Sequence, residues 1–251
     1  MLKYFNWRAV IGIVLVTLSA VVYVIHYLIF RDAHHIFIYL ISDIAFVFFE
    51  VLLVTLIIDQ LLHEREKKSL LFKLNMIIGI FFSEAGNEAL RLLSSFDTQV
   101  DRIRGDLLVT DRWSKKDFLD LRKRINAYEH KLDSRQADLG GLKNFLLEKR
   151  DFMLRILENP NLLEHEGFTD GLWATLHLAE ELVSRKSLKD LPKADYGHLS
   201  GDLRRAYVRL ISEWLNYMWH LRQHYPYLFS LAMRTNPFDL NASVEVREEV
   251  A

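Results

Sequence analysis

The sequence predicts an all-α protein, an N-terminal two-helix transmembrane hairpin followed by a mainly helical cytosolic bundle domain. Three observations predict it. Residues 9–30 and 36–62 form apolar runs of 22 and 27 residues. Glycine (10) and proline (4) are scarce in a chain of 251 residues, so few breakers interrupt helices rich in Leu, Lys, Arg and Glu. The charge density rises abruptly after residue 62, to that of a water-soluble domain. The organisation that follows is a hairpin over 1–62, a juxtamembrane linker or apolar helix over 63–82, a cytosolic helical domain over 83–238 and a flexible tail over 239–251.

The first run, at about 1.5 Å of rise per residue, crosses a hydrocarbon layer roughly 30 Å thick. In lipid a chain must satisfy its own backbone hydrogen bonds, and an unbroken run of this length does so as a helix. A cleaved secretory signal is the competing reading. Against it, the run exceeds the usual apolar length of about 7–15 residues and no A-x-A cleavage site follows. Lys3 and Arg8 precede the first run, and Arg65, Lys67, Lys68 and Lys73 follow the second. The loop between them holds one arginine, Arg31, offset by Asp32. Basic flanks stay cytoplasmic, so both termini and the large domain are expected inside a plasma (inner) membrane.

The second run carries Asp43 and Glu50, seven residues apart and therefore about 20° apart around a helix. A charge at mid-membrane costs about 2.5–3.5 kcal/mol on insertion scales, so such groups face protein or water. Ser19, Tyr23 and His26 share one face of the first helix and offer a matching polar stripe. Two uses are open. The stripe lines a proton or cation path in an oligomer, or its members hydrogen-bond between helices at around 1 kcal/mol each. No selectivity-filter signature accompanies it.

Residues 69–82, SLLFKLNMIIGIFF, are apolar yet too short for a third span. They are expected as a core helix of the cytosolic domain, with a helix lying along the membrane surface or a re-entrant segment as the alternatives, and a direct run from the second span would make one long helix. Ser114 with Asp117 three residues on reads as a helix N-cap and its acidic partner. The helix it opens is expected to place Phe118, Leu121, Ile125, Tyr128 and Leu132 on one face. Gly140-Gly141 is expected to end that hairpin. A helix over 142–158 follows, stopped by Asn159-Pro160-Asn161. Thr169 or Asp170 is expected to cap a helix reaching Arg185, and 192–201 reads as a loop. A long aromatic helix over about 201–225 then turns Leu203, Tyr207, Leu210, Trp214, Met218 and Leu221 inward. Pro226 opens a last short helix, and residues beyond Leu240 read as a loose tail.

The chemistry-bearing candidates are few. His220 and His224 share a helix face, with Glu213 one heptad earlier; His177 lies near Glu180 and Glu181. These residues are the weak candidates for a metal site in the bundle, since helical bundles can hold metals between facing helices. No Glu-x-x-His or His-Glu-x-x-His motif is present, nor a P-loop, a Gly-rich dinucleotide turn or a G-x-S-x-G elbow. The absence of cysteine excludes disulfides, Cys-ligated zinc and thiol nucleophiles. The net charge of −1 leaves no footprint for nucleic acid. The expected function is a two-pass, membrane-anchored, oligomeric interaction or signalling module without an evident catalytic site or cofactor. Its partners are the bilayer, further copies of itself and a cytosolic protein. The alternatives are an oligomeric proton or cation channel lined by Asp43 and Glu50, and a membrane-anchored helical-bundle metalloprotein.

Overall fold

The structure, a computed structural model, describes residues 7–246 and is all-helical: the described residues contain no strand, only one isolated antiparallel bridge between Asp97 and Leu132. The helices are α1 (Trp7–Phe30), α2 (Ala33–Phe81), α3 (Asn87–Ser94), α4 (Asp101–Arg104), α5 (Lys115–Ala127), α6 (Leu139–Leu157), α7 (Glu166–Ser184), α8 (Lys193–His224) and α9 (Pro226–Arg234). The chain divides into two compact units, residues 1–67 and 68–251.

The first unit holds α1 and the start of α2, both long and apolar enough to cross a membrane. Their large apolar side chains are exposed, Val16 to 71% and Phe48 to 75%. The turn between them is tight. Arg31 takes a positive φ of 49° while the Asp32 carboxylate accepts the His35 N–H at 3.1 Å, capping the first turn of α2.

The second unit begins with the last turns of α2. There the apolar surface splits into two faces. Leu74, Ile78, Phe81 and Phe82 are buried, whereas Leu71, Phe72, Met76 and Ile80 stay exposed. A π-turn, Phe82–Gly86, joins α2 to α3. It needs glycine at 86, where a Cβ would sit 2.5 Å from the Phe82 ring and 2.7 Å from that of Phe81. The core of the bundle is α8, with α7, α5, α3 and α9 packed around it and α6 against α7. Trp214 and Tyr207 are its largest fully buried side chains, and all six inward residues expected of this helix are buried. The Phe82 and Tyr217 rings stack at 5.2 Å, and Phe81 meets Phe168 edge-on at the same separation.

Several boundaries differ from the sequence reading, each for a local reason. The apolar repeat 118–132 is helical only to Ala127: Tyr128 turns extended and Leu132 joins the bridge to Asp97. Beside that bridge His130 is buried, one ring nitrogen 3.0 Å from the Ile125 carbonyl and the other 3.4 Å from the Asp97 carboxylate. Gly140-Gly141 lies inside the first turn of α6 rather than ending a hairpin. Asp138 is the cap, accepting the Gly140 N–H at 2.9 Å, and a Cβ on Gly141 would meet its Oδ2 at 2.7 Å. Helix α7 starts earlier than Thr169, because His165 Nδ1 accepts the Phe168 N–H at 3.2 Å. The loop read over 192–201 is mostly helix: α8 starts at Lys193, directly after Pro192. Its first turn is held by Asp195, which accepts from Arg185 Nη2 at 2.6 Å and Nε at 2.9 Å. After α9, Asn236 and Phe238 are buried and the Asn236 amide donates to the Leu107 carbonyl at 2.8 Å, so the chain is pinned until then. Of the tail, residues 247–251 lie outside the described residues.

Candidate functional site

The residues singled out by sequence fall into three places. In the first unit Tyr23 and His26 line a cavity of about 360 Å³ with Val22, His35, Ile36 and Tyr39. The His26 and His35 rings stack at 6.5 Å, and His35 meets Tyr39 edge-on at 4.6 Å. The Nδ1 of His26 is buried without a hydrogen-bond partner. Ser19, Asp43 and Glu50 are exposed and do not line that cavity.

The second place, within the bundle, is a cavity of about 570 Å³ lined by His165, His220 and His224 together with Phe72, Asn75 and Trp219. His220 and His224, one helical turn apart, stack at 4.5 Å. Burial, then the neighbouring His224, pushes the His220 imidazole down to about 4. Glu213 is buried, its carboxylate 3.8 Å from His165 Nδ1, and burial raises its pKa. Its Oε1 accepts from the Asn216 amide at 3.3 Å.

The third place joins the end of α7 to the start of α8. His177 and Glu181 stand one turn apart on α7, and His198 and Asp202 one turn apart on α8. The two helices run antiparallel across a short loop, so each histidine meets the carboxylate of the opposite helix. His177 Nε2 is 3.7 Å from Asp202 Oδ1 and 3.8 Å from Glu181 Oε1. His198 Nε2 is 3.2 Å from Asp202 Oδ2 and 3.5 Å from Glu181 Oε2. Two arginines brace the carboxylates from behind: Arg185 donates to Glu181 at 2.7 Å and Arg205 to Asp202 at 2.8 Å. The Arg185 hydrogen bond holds Glu181 below the usual carboxylate range. Among the described residues, His177, Glu181 and Asp202 are the group whose metal-capable atoms lie within 4.8 Å of one another.

Of the expected bundle candidates, His177 and Glu181 belong to this group. Glu180 points away, toward Arg150 at 4.0 Å. The difference is angular: around α7, Glu181 lies about 40° from His177 and Glu180 about 60° from it on the opposite side. Sequence reasoning missed His198 and Asp202. Their signal was present, since His198-x-x-x-Asp202 repeats the spacing of His177-x-x-x-Glu181.

The chain is 46% identical to "Uncharacterized protein MJ1433" of Methanocaldococcus jannaschii over 244 residues, 97% of this chain and 98% of that protein. Residues 70–234 match the family described as "Uncharacterized protein MJ1433, C-terminal helical domain". The chain belongs to the MJ1433 family. Residues 3–62 match the description "MJ1433, N-terminal helical domain". The break between the two matched ranges falls where α2 passes from exposed to partly buried apolar residues. No solved structure matches. All four members of the His–carboxylate group lie within the C-terminal helical domain range.

Proposed function

We propose that the chain is a two-pass integral membrane protein whose helical bundle works on the cytoplasmic side as a membrane-anchored interaction module. One observation carries this reading. The most apolar stretches of α1 and α2 are unburied, whereas the bundle completes its core from residue 74 onward. Fully burying one such aliphatic or aromatic side chain is worth about 1.5–3 kcal/mol, so two bare apolar helices require another medium or partner. Their length matches that of a bilayer. The Lys/Arg bias of the flanking segments gives the orientation.

The chain has no cysteine, so single introduced cysteines report sidedness directly. In sealed right-side-out membranes, Asp32→Cys should react with an impermeant maleimide and Lys189→Cys only after permeabilisation. Release of the protein by alkaline washing, or equal labelling of both sites, would sink the reading.

A second observation favours self-association. Asp43 and Glu50 are exposed along α2 and make no hydrogen bond or ion pair among the described residues. In hydrocarbon such groups turn to protein or water. Copies joined along this stripe would supply both, and a proton or cation path between them is the corresponding channel reading.

A further inference from the structure

We propose that His177, Glu181, His198 and Asp202 form a binding site for one divalent transition-metal cation of the zinc class, at the α7–α8 corner of the bundle. Four features of the cluster argue for this.

The first is spacing. To the two oxygens that the arginines leave free, His198 Nε2 stands 3.2 Å from Asp202 Oδ2 and His177 Nε2 stands 3.8 Å from Glu181 Oε1. Ligand atoms about 2.0–2.2 Å from a tetrahedral cation stand about 3.3–3.6 Å from one another. The ligand atoms of His177, Glu181 and Asp202 lie within 4.8 Å of one another, and His198 joins them through Asp202 Oδ2.

The second is an unmet acceptor. Asp202 is 1% exposed, and its Oδ2 is buried with no hydrogen-bond partner while facing His198. A buried carboxylate oxygen without a donor is costly, and a cation at this point satisfies it.

The third is the outer support. Arg205 occupies Asp202 Oδ1 and Arg185 occupies Glu181 Oε2, leaving Asp202 Oδ2 and Glu181 Oε1 for a ligand. Arg185 is itself held by Asp195 on α8. Ligating carboxylates are fixed by such partners in metal sites.

The fourth is chemistry and access. Two imidazoles and two carboxylates make a mixed nitrogen and oxygen set, which favours zinc-class ions over calcium or magnesium. The His177 and His198 side chains are 46% and 53% exposed, so an ion reaches the site from solvent and a coordination position can stay open to it.

The test uses the full-length protein, purified in detergent without a polyhistidine tag and titrated with Co²⁺. Tetrahedral Co²⁺ gives visible bands that a loosely bound, hydrated ion lacks. We expect one Co²⁺ per chain with these bands, displaced by Zn²⁺. His177→Ala and His198→Ala, both on the surface, should each weaken binding by about 10–100-fold, with helicity and unfolding checked in parallel. Glu180→Gln and His224→Ala should bind like the parent. Asp202→Asn is secondary, since loss of its Arg205 pair can disturb folding. Absence of the bands in folded parent protein overturns the proposal. So does binding that survives the His177→Ala, His198→Ala double variant, or that is lost in His224→Ala instead. In each of these cases the cluster is a His–carboxylate ion-pair lattice. The outcome is independent of membrane sidedness.

Discussion

The two units use the same apolar residues to opposite ends. Phe48 is 75% exposed and Phe81 fully buried, though both belong to α2. In the first unit apolar residues cover nearly the whole circumference of each helix, broken by the stripe of Ser19, Tyr23, His26, Asp43 and Glu50; in the second, α8 keeps its apolar residues to one inward face. A helix apolar all round asks for an apolar medium, and an amphipathic one asks for a neighbour. Hydrophobic content alone therefore says little about stability, because the surroundings decide what each side chain contributes.

The largest expected effect would sharpen that contrast. Trp214→Ala, at the fully buried centre of α8, should lower the stability of the bundle by about 3–5 kcal/mol in denaturant unfolding. Leu52→Ala, 57% exposed on α2, should leave the same transition unmoved. Comparable losses from both would break the comparison, since Leu52 would then belong to the same core.

A smaller effect concerns acid. His220 titrates near 4 in the folded chain against about 6.5 when unfolded. Between these values the unfolded chain binds the extra proton, so folded-state stability falls as pH drops from about 6.5 to 4. Because the ring borders an open cavity, about 1–2 kcal/mol is expected rather than the full value of the shift. Glu213 acts in the opposite sense, its raised pKa making protonation favour the folded state. Comparing unfolding midpoints at pH 7 and 4.5 for the parent and His220→Gln separates the two. Equal pH slopes would remove His220 from the account.

The smallest effect tests the first unit. Glu50→Gln should alter self-association in a bilayer by about 1 kcal/mol if the group only joins helices. If the stripe conducts, the substitution also changes proton or cation flux into liposomes. Unaltered association and flux would leave Glu50 without either role.

Helix content was legible because it rests on local rules. The Ser114–Asp117 capping box, with Asp117 accepting the Ser114 N–H at 2.6 Å, needs only residues within one turn. That short-range bond also keeps the Asp117 carboxyl below its ordinary range. The inward face of α8 followed from its 3.6-residue repeat. Residues 192–201 read as loop, between Pro192 and Gly201. Local propensity there is weak, and the helix is secured by a partner outside it, Arg185 on Asp195. With His198 assigned to a loop, its one-turn spacing from Asp202 carried no meaning.

What the sequence by itself determined is the all-helical class, most of the longer helices, the apolar character of the first two and the inward stripe of α8. These follow from length, periodicity and capping, which act over a few residues. Only the tertiary structure decided that α7 and α8 run antiparallel with His177 opposite Asp202 and Glu181 opposite His198. It also set Glu180 aside in favour of Glu181. Pairing across helices depends on the register with which two faces pack, and register comes from the whole interface rather than from either segment.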